Sequence, residues 1–284
     1  MNIRDFILAL FLVKHLSYRG RAKVWQYLSE HPTVALPLPI NLLKKITGSE
    51  HLGNYPSINE LIELKRLAYI TIIDECYPAM LKEIIHPPLV LFYCGNLQLL
   101  AMKKVGIVGA RMHSQCATKI IKGWGKGLTK QAYAIVSGLA QGIDSLAHDT
   151  MLNNGGSTIA VIGTGLNVVY PARHRTLQHK IGQHGLLLSE YLPDTGPRQY
   201  HFPERNRIIA GLCSAIVVVE ARKRSGSLIT ARLALEANRS IFALPGRIDD
   251  LNSFGTNQLI NDGAIPILSN EDLFEKLAEH QFYI

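Results

Sequence analysis

Residues 104–111 read Lys-Val-Gly-Ile-Val-Gly-Ala-Arg, and their reading decides the fold. The stretch opens as a short apolar run, the pattern of a strand buried on both faces of a parallel sheet. At Gly109 the backbone must turn sharply, and residues 115–130 then follow as an amphipathic helix. Strand, glycine turn and helix N-terminus together offer backbone N–H groups and a dipole to an anion. Arg111 adds a full charge at the mouth of that turn.

Outward from this stretch, strand and helix patterns keep alternating. Strands are expected at 105–108, 134–136, 158–162, 186–188, 215–219, 240–244 and 265–268, with helices between most of them. That alternation is the signature of an α/β fold with a doubly wound parallel sheet. In residues 141–153, Ile143, Leu146, Ala147 and Met151 line one stripe, as an amphipathic helix requires. A short helix is expected at 270–280. Upstream, residues 1–67 read as a small helical domain of short pieces broken by Pro32, Pro37 and Pro39. Residues 68–100 hold strand-like segments at 70–73 and 89–93, read as an extension packed on the edge of the sheet domain, 101–284.

The chain of 284 residues is long enough for two domains with real cores. Its longest early apolar run, 6–13, is too short to span a bilayer, and no signal-peptide cleavage pattern follows, so no membrane and a cytoplasmic location are expected. Cys76, Cys94, Cys116 and Cys213 show no paired spacing and read as buried thiols, not disulfides or a zinc site. The net charge of +8 is unevenly spread. Residues 101–250 hold 19 Lys and Arg against 9 Asp and Glu, while the rest holds 11 against 13. A basic excess confined to one region beside glycine loops favours a polyanionic partner.

In doubly wound sheets ligands collect outside the carboxyl ends of the strands. The loops expected there are Gly109-Ala110-Arg111, residues 137–142 with Gly138, Gly163-Thr164-Gly165, Arg205-Asn206-Arg207, and Arg222-Lys223-Arg224-Ser225-Gly226-Ser227. Any single tight turn needs glycine anyway; five such loops converging on one edge point to a phosphate-bearing ligand. Ser227 is expected to cap a helix over 228–237. Phe202-Pro203 starts another helix, whose positive end would present Arg205, Asn206 and Arg207. Tyr191, Tyr200, His201 and Phe202 stand beside these loops with Arg198 among them. Aromatics next to arginines suit stacking of unpaired bases, at about 1–3 kcal/mol per base.

Signs of an enzyme are poor. Asp144 and His148, four apart on one helix, could form an acid–base couple, but Asp144 near the helix N-terminus reads more simply as a dipole-favoured carboxylate. His174, His179 and His184 form no metal-ligand pattern. For a nicotinamide cofactor, Gly163-x-Gly165 lacks its third glycine, and Ser137 stands where a ribose-binding acid belongs. No catalytic residue, cofactor or metal is expected.

Six stretches in order resemble the DNA processing protein A family (DprA, also called Smf). They begin with 136–144 (VSGLAQGID), 163–171 (GTGLNVVYP) and 202–212 (FPERNRIIAGL). The others are 225–231 (SGSLITA), 242–246 (FALPG) and 255–264 (GTNQLINDGA). The resemblance covers residue 70 onward. It implies an extended Rossmann-like fold preceded by a small sterile-alpha-motif-like helical domain. It also implies single-stranded DNA binding without catalysis, homodimers, and loading of the RecA recombinase onto incoming DNA in natural transformation. By the resemblance, the family's glycine–serine–arginine turn falls on Gly109, Ala110 and Arg111, with Arg173, Asn206, Arg207, Ser225, Gly226 and Ser227 in the same pocket. Ala110 replaces the usual serine, Asn167 a common aspartate, and Asn238 a helix-ending glycine. The winged-helix domain of some members is not expected, since few residues follow Leu268. The apolar late segment 241–268 is the expected dimer interface.

The rival reading is a nucleotide-binding hydrolase acting on nucleoside monophosphates. It needs a Gly-Gly-x-Gly-Thr loop followed by a catalytic glutamate. The sequence offers Ser225-Gly226-Ser227 there, with Glu236 a full helix later.

Overall fold

The computed structural model describes residues 1–279, which group into two compact units. The smaller comprises residues 1–77 with 85–92; the larger comprises 78–84 and the chain from 93 onward.

The smaller unit holds four helices: α1 (Ile3–Leu12), α2 (Tyr18–Glu30), α3 (Ile40–Thr47) and α4 (Ile58–Lys65). Their starts are written locally. Asn2 and Ser17 accept first-turn N–H groups, and Ser57 with Glu60 forms a reciprocal capping box. Phe6, Leu10, Val24, Leu43 and Leu64 are buried beneath them. Strand β1 (Tyr69–Thr71) pairs antiparallel with the start of β2 (Val90–Gly95). Phe11 of α1 meets Phe92 of this hairpin edge-on at 5.8 Å, so the hairpin groups with the helices. The 93–95 end of β2 belongs to the larger unit, where β2 stands next to the strand Leu186–Ser189 in the strand order.

The larger unit opens with α5 (Ala79–Lys82) and then alternates, as the sequence predicts, through β3 (Lys103–Val108), α6 (Gln115–Lys130), β4 (Tyr133–Ser137), α7 (Ile143–Asn153) and β5 (Ser157–Ile162). It continues with α8 (Arg175–His184), β6 (Leu186–Ser189), α9 (His201–Leu212), β7 (Ala215–Val218) and α10 (Gly226–Glu236). Then come β8 (Ser240–Ala243), α11 (Phe254–Asn261), β9 (Ile265–Pro266) and α12 (Asn270–Glu279). The strands run parallel in the order β6-β5-β4-β3-β7-β8-β9. This is the doubly wound Rossmann-like sheet. From β3 the chain winds to one side as far as β6 and then returns to the other at β7. The topological switch point, where such sheets bind ligands, therefore lies between the carboxyl ends of β3 and β7.

One face of the sheet packs Val105, Ile107, Ile135, Val217 and Phe242 against Ile121, Trp124 and Leu128 of α6, Met151 of α7, and Leu273 and Leu277 of α12. Full burial of side chains of this size stabilises by about 1.5–3 kcal/mol each.

Several boundaries differ from expectation for local reasons. Helix α7 starts at Ile143, not 141, because Gly142 has φ 90°. Strand β9 is shorter than expected, Ile265–Pro266, although the Ile267 N–H still donates to the Ala243 carbonyl at 3.0 Å. Helix α12 runs to Glu279; the last residue of the expected helix, His280, lies outside the described residues. Asn238 adopts the left-handed conformation, φ 56°, expected of a glycine substitute after α10. Of the four thiols expected to be buried, only Cys213 is; Cys76, Cys94 and Cys116 are exposed. Among the described residues no helix is long and apolar enough to cross a membrane.

Candidate functional site

The switch point is built by the turn after β3. Ala110 is buried and its carbonyl accepts the Ile143 N–H at 3.2 Å, while Arg111 is exposed. The helix end behind the turn is not open. Ser114 caps α6 by accepting from Ala117 N–H at 3.0 Å, and its own N–H donates to both carboxylate oxygens of Glu220, at 3.1 and 3.3 Å. Glu220, only 8% exposed, follows β7. The anion expected at this N-terminus is thus supplied by the protein itself. What remains for a ligand here is the Arg111 guanidinium.

Beside it, loop 138–142 is held from two directions. Gly142, with its positive φ, lies so close to the turn that a Cβ would overlap the carbonyl oxygens of Ala110 and Arg111. At the other end, the Arg205 guanidinium lies directly over Gly138, in the space a Cβ would take. Arg205 Nη1 donates to the Gly138 carbonyl at 2.5 Å and to the Val161 carbonyl, and Nε to Asn206 Oδ1 at 3.2 Å. Asp144 accepts from the N–H groups of Gly138 and Ala140 at 3.1 and 3.4 Å. Burial pushes the Arg205 guanidinium down to about 10, with Asp144 opposing the shift and Arg111 adding to it; it is charged at neutral pH.

Two of the expected contacts therefore point inward. Arg205 is buried and spends its donors on two strand-end carbonyls. Arg207 is buried as well and grips Glu190 with Nη2 at 2.7 and 2.8 Å. Neither offers phosphate a free guanidinium; they fasten the loops that do. Asn206, between them, is half-buried, and its Nδ2 donates to the Gly226 carbonyl at 3.4 Å, joining α9 to the start of α10.

The turn before α10 keeps its charges outward. Arg222, Lys223 and Arg224 are all exposed, and Arg224 sits at φ 61°. Arg222 Nε donates to Asn252 Oδ1 at 2.7 Å, and the Lys223 ammonium lies 5.4 Å from the Phe254 ring centroid. The cap of α10 is Ser225, not the expected Ser227, which is buried in the first turn with its hydroxyl 2.8 Å from that of Ser225. No side chain caps the first N–H groups of α10.

Exposed aromatic rings occur in the loops before α8 and α9. Tyr200 is 52% exposed and its hydroxyl accepts from Arg198 Nη1 at 2.8 Å. Tyr170, 46% exposed, lies 5.3 Å from the Phe202 ring. Tyr191 and His201, expected among the outward aromatics, instead stack on each other at 4.0 Å, and His201 Nδ1 meets the Gly163 carbonyl at 3.1 Å. Arg173 is exposed in the loop after Pro171. The residues left facing solvent are thus Arg111, Arg173, Arg198, Tyr200 and Arg224, with Gly226 beside them.

Beneath the loops lies a polar interior. His148 is buried, with Nδ1 at 2.6 Å from Thr158 Oγ1 and no hydrogen-bond partner for Nε2. Burial, with Arg205 and His174 adding to it, pulls the His148 imidazole down from 6.5 to about 3. Below pH 6.5 the unfolded chain takes up a proton that the folded one refuses until about pH 3. Stability should fall as pH drops through that window, by up to about 1.4 kcal/mol per pH unit. Asp144, raised by burial, acts in the opposite sense above the usual carboxylate range, so the His148 share is a difference between two proteins. Urea unfolding at about pH 7 and about pH 5 should show a smaller loss in His148→Gln than in the parent chain; equal losses would contradict this.

Sequence reasoning missed Glu190, Glu220, Asn252, Phe254 and Tyr170. The only available signal was position: each glutamate directly follows the last residues of a buried strand, where a charge must find a partner.

Comparison with known proteins adds the following. Residues 68–278 match the family model described as DNA recombination-mediator protein A. The DNA processing protein DprA of Streptococcus pneumoniae is 49% identical over 220 residues, 78% of this chain and 77% of that one. Protein Smf of Escherichia coli is 43% identical over 209 residues, 72% of this chain and 55% of that one. The X-ray structure of the Streptococcus pneumoniae protein superimposes with TM-score 0.84 and 39% identity, covering 97% of this chain and 98% of that one. A structure of DNA processing protein A from Helicobacter pylori, described for its single-stranded DNA binding mode, superimposes with TM-score 0.68 and 31% identity, covering 75% and 97%.

Proposed function

Because the chain belongs to the DNA recombination-mediator protein A family, we propose that it binds single-stranded DNA along the carboxyl edge of its sheet, protects incoming strands and loads the RecA recombinase during natural transformation. The observation that carries this reading is the division of the arginines. Arg205 and Arg207 are sealed inside, whereas Arg111, Arg173, Arg198 and Arg224 stay exposed, as do the rings of Tyr170 and Tyr200, the latter bonded to Arg198. Exposed cations neutralise phosphates, and exposed rings stack bases whatever their sequence.

The reading includes no catalytic step. Burial of Asp144 and His148, four apart on α7, supports that view over nucleotide hydrolysis. It places the work in the cytoplasm, where recombinase and incoming strand meet. It also includes a homodimer, for which the late segment offers Ile248, Leu251, Phe254 and Leu268 as exposed apolar groups; Ile241, Phe242 and Ile267 of the same segment are core.

A mobility shift tests the reading. The protein should retard a single-stranded oligonucleotide in preference to the duplex. Arg111→Ala should weaken binding by about tenfold, a charge-assisted contact of roughly 1.5–3 kcal/mol. The slope of log affinity against log salt should flatten by about 0.7. Salt-insensitive binding, or sustained base release from nucleotides, would overturn it. Recombinase loading is read from strand exchange with and without the protein.

A further inference from the structure

Helix α6 turns four lysines outward. Lys119, Lys122, Lys126 and Lys130 are all exposed, and the helix contains no Asp or Glu. Spacings of three, four and four place them on one face, opposite buried Ile121 and Leu128. At about 1.5 Å per residue they extend over roughly 16 Å.

A merely solvated helix face gains by interleaving glutamates with lysines; like charges four apart cost roughly 0.2–0.5 kcal/mol per pair instead. Here no such compensation is present. Among the described residues none of the four makes a hydrogen bond or ion pair. The neighbouring helix α12 is acidic and packs Phe274 against Gly127 of α6, yet its Asp272 pairs with Lys276 and not with an α6 lysine. The repulsion along α6 is left unrelieved, which is the state a polyanion would relieve.

The row is also continuous with the site. Arg111 stands three residues before the cap Ser114, and Lys119 follows one turn into the helix. We propose that the lysine face of α6 is a second track for the phosphate backbone of a strand already held at the carboxyl edge, so that the strand continues along the helix. This rests on the single-stranded DNA reading and adds to it a longer footprint with no base contacts.

The test compares oligothymidylates of about 4 and about 16 nucleotides, the range of site sizes seen for single-strand binders. The variants are the fourfold Lys→Gln protein at 119, 122, 126 and 130, and the fourfold Lys→Arg protein. With Lys→Gln, affinity for the longer strand should fall at least tenfold and its salt slope flatten by about 2 to 2.8, four times 0.7 at most. The shorter strand should bind as before, and Lys→Arg should behave as the parent. Unchanged binding of the longer strand while Arg111→Ala still weakens it would remove the track and leave the site standing. Equal loss at both lengths would also overturn the track, as a general field effect. A parent protein that bound neither strand would overturn the underlying reading as well. Because the four side chains are exposed, thermal unfolding of Lys→Gln should match or exceed that of the parent.

Discussion

Glu190→Ala should cost the folded protein about 3–5 kcal/mol, the usual penalty for leaving one member of a buried ion pair without its partner. The pair is deep: the Arg207 and Glu190 side chains are 8% and 4% exposed, with two bonds of 2.7 and 2.8 Å between them. Truncation would leave the buried Arg207 guanidinium without its carboxylate. For a unit of this size the melting temperature should drop by roughly 10 °C. Replacing both members, Glu190→Leu with Arg207→Met, should recover most of the loss, because the desolvation cost disappears with the attraction. A single-variant loss below about 1 kcal/mol in urea unfolding would mean the pair is wetter than its geometry implies.

Arg205→Met should couple a stability loss to a binding loss. The substitution keeps volume but abandons two strand-end carbonyls, Gly138 and Val161, at about 1–3 kcal/mol for each group left unsatisfied. It also removes the cation that holds the Asp144 pKa down against burial, so Asp144 should keep its proton to higher pH than in the parent. A group raised in the folded state stabilises as pH falls; the variant's deficit should therefore narrow on acidification. Loop 138–142 would lose its anchor, and single-stranded DNA should bind at least several-fold more weakly although Arg205 is itself buried. Amide hydrogen exchange at Gly138 and Ala140 separates this from loss of a direct phosphate contact: faster exchange is expected, and unchanged exchange with weakened binding would argue for direct contact.

These two arginines also mark where sequence reading stops. The α/β alternation was legible because buried parallel strands are near-continuous apolar runs, and 115–130 was legible as a helix to the residue. The glycine turns were legible because tight strand-to-helix turns demand them. What could not be read was direction. Arg205 and Arg207 lie two apart, about 200° around a helix, so one of them at most should face solvent-borne phosphate. In the fold α9 buries eight of its twelve residues, and both arginines find partners inside. An arginine waiting for a ligand and one holding a carboxylate look the same in a string of letters; Glu190 lies 17 positions from Arg207. Glu220 hid for the same reason, 106 positions from the Ser114 N–H that donates to it.

The tethering of loop 138–142 has a consequence for how any complex forms. One end is closed against the turn at Gly142 and the other against Arg205, so the loop has few conformations to surrender when a ligand arrives. A single strand, by contrast, is flexible along its whole length. The entropy of ordering falls almost entirely on the nucleic acid, and the protein acts as a preformed mould for it.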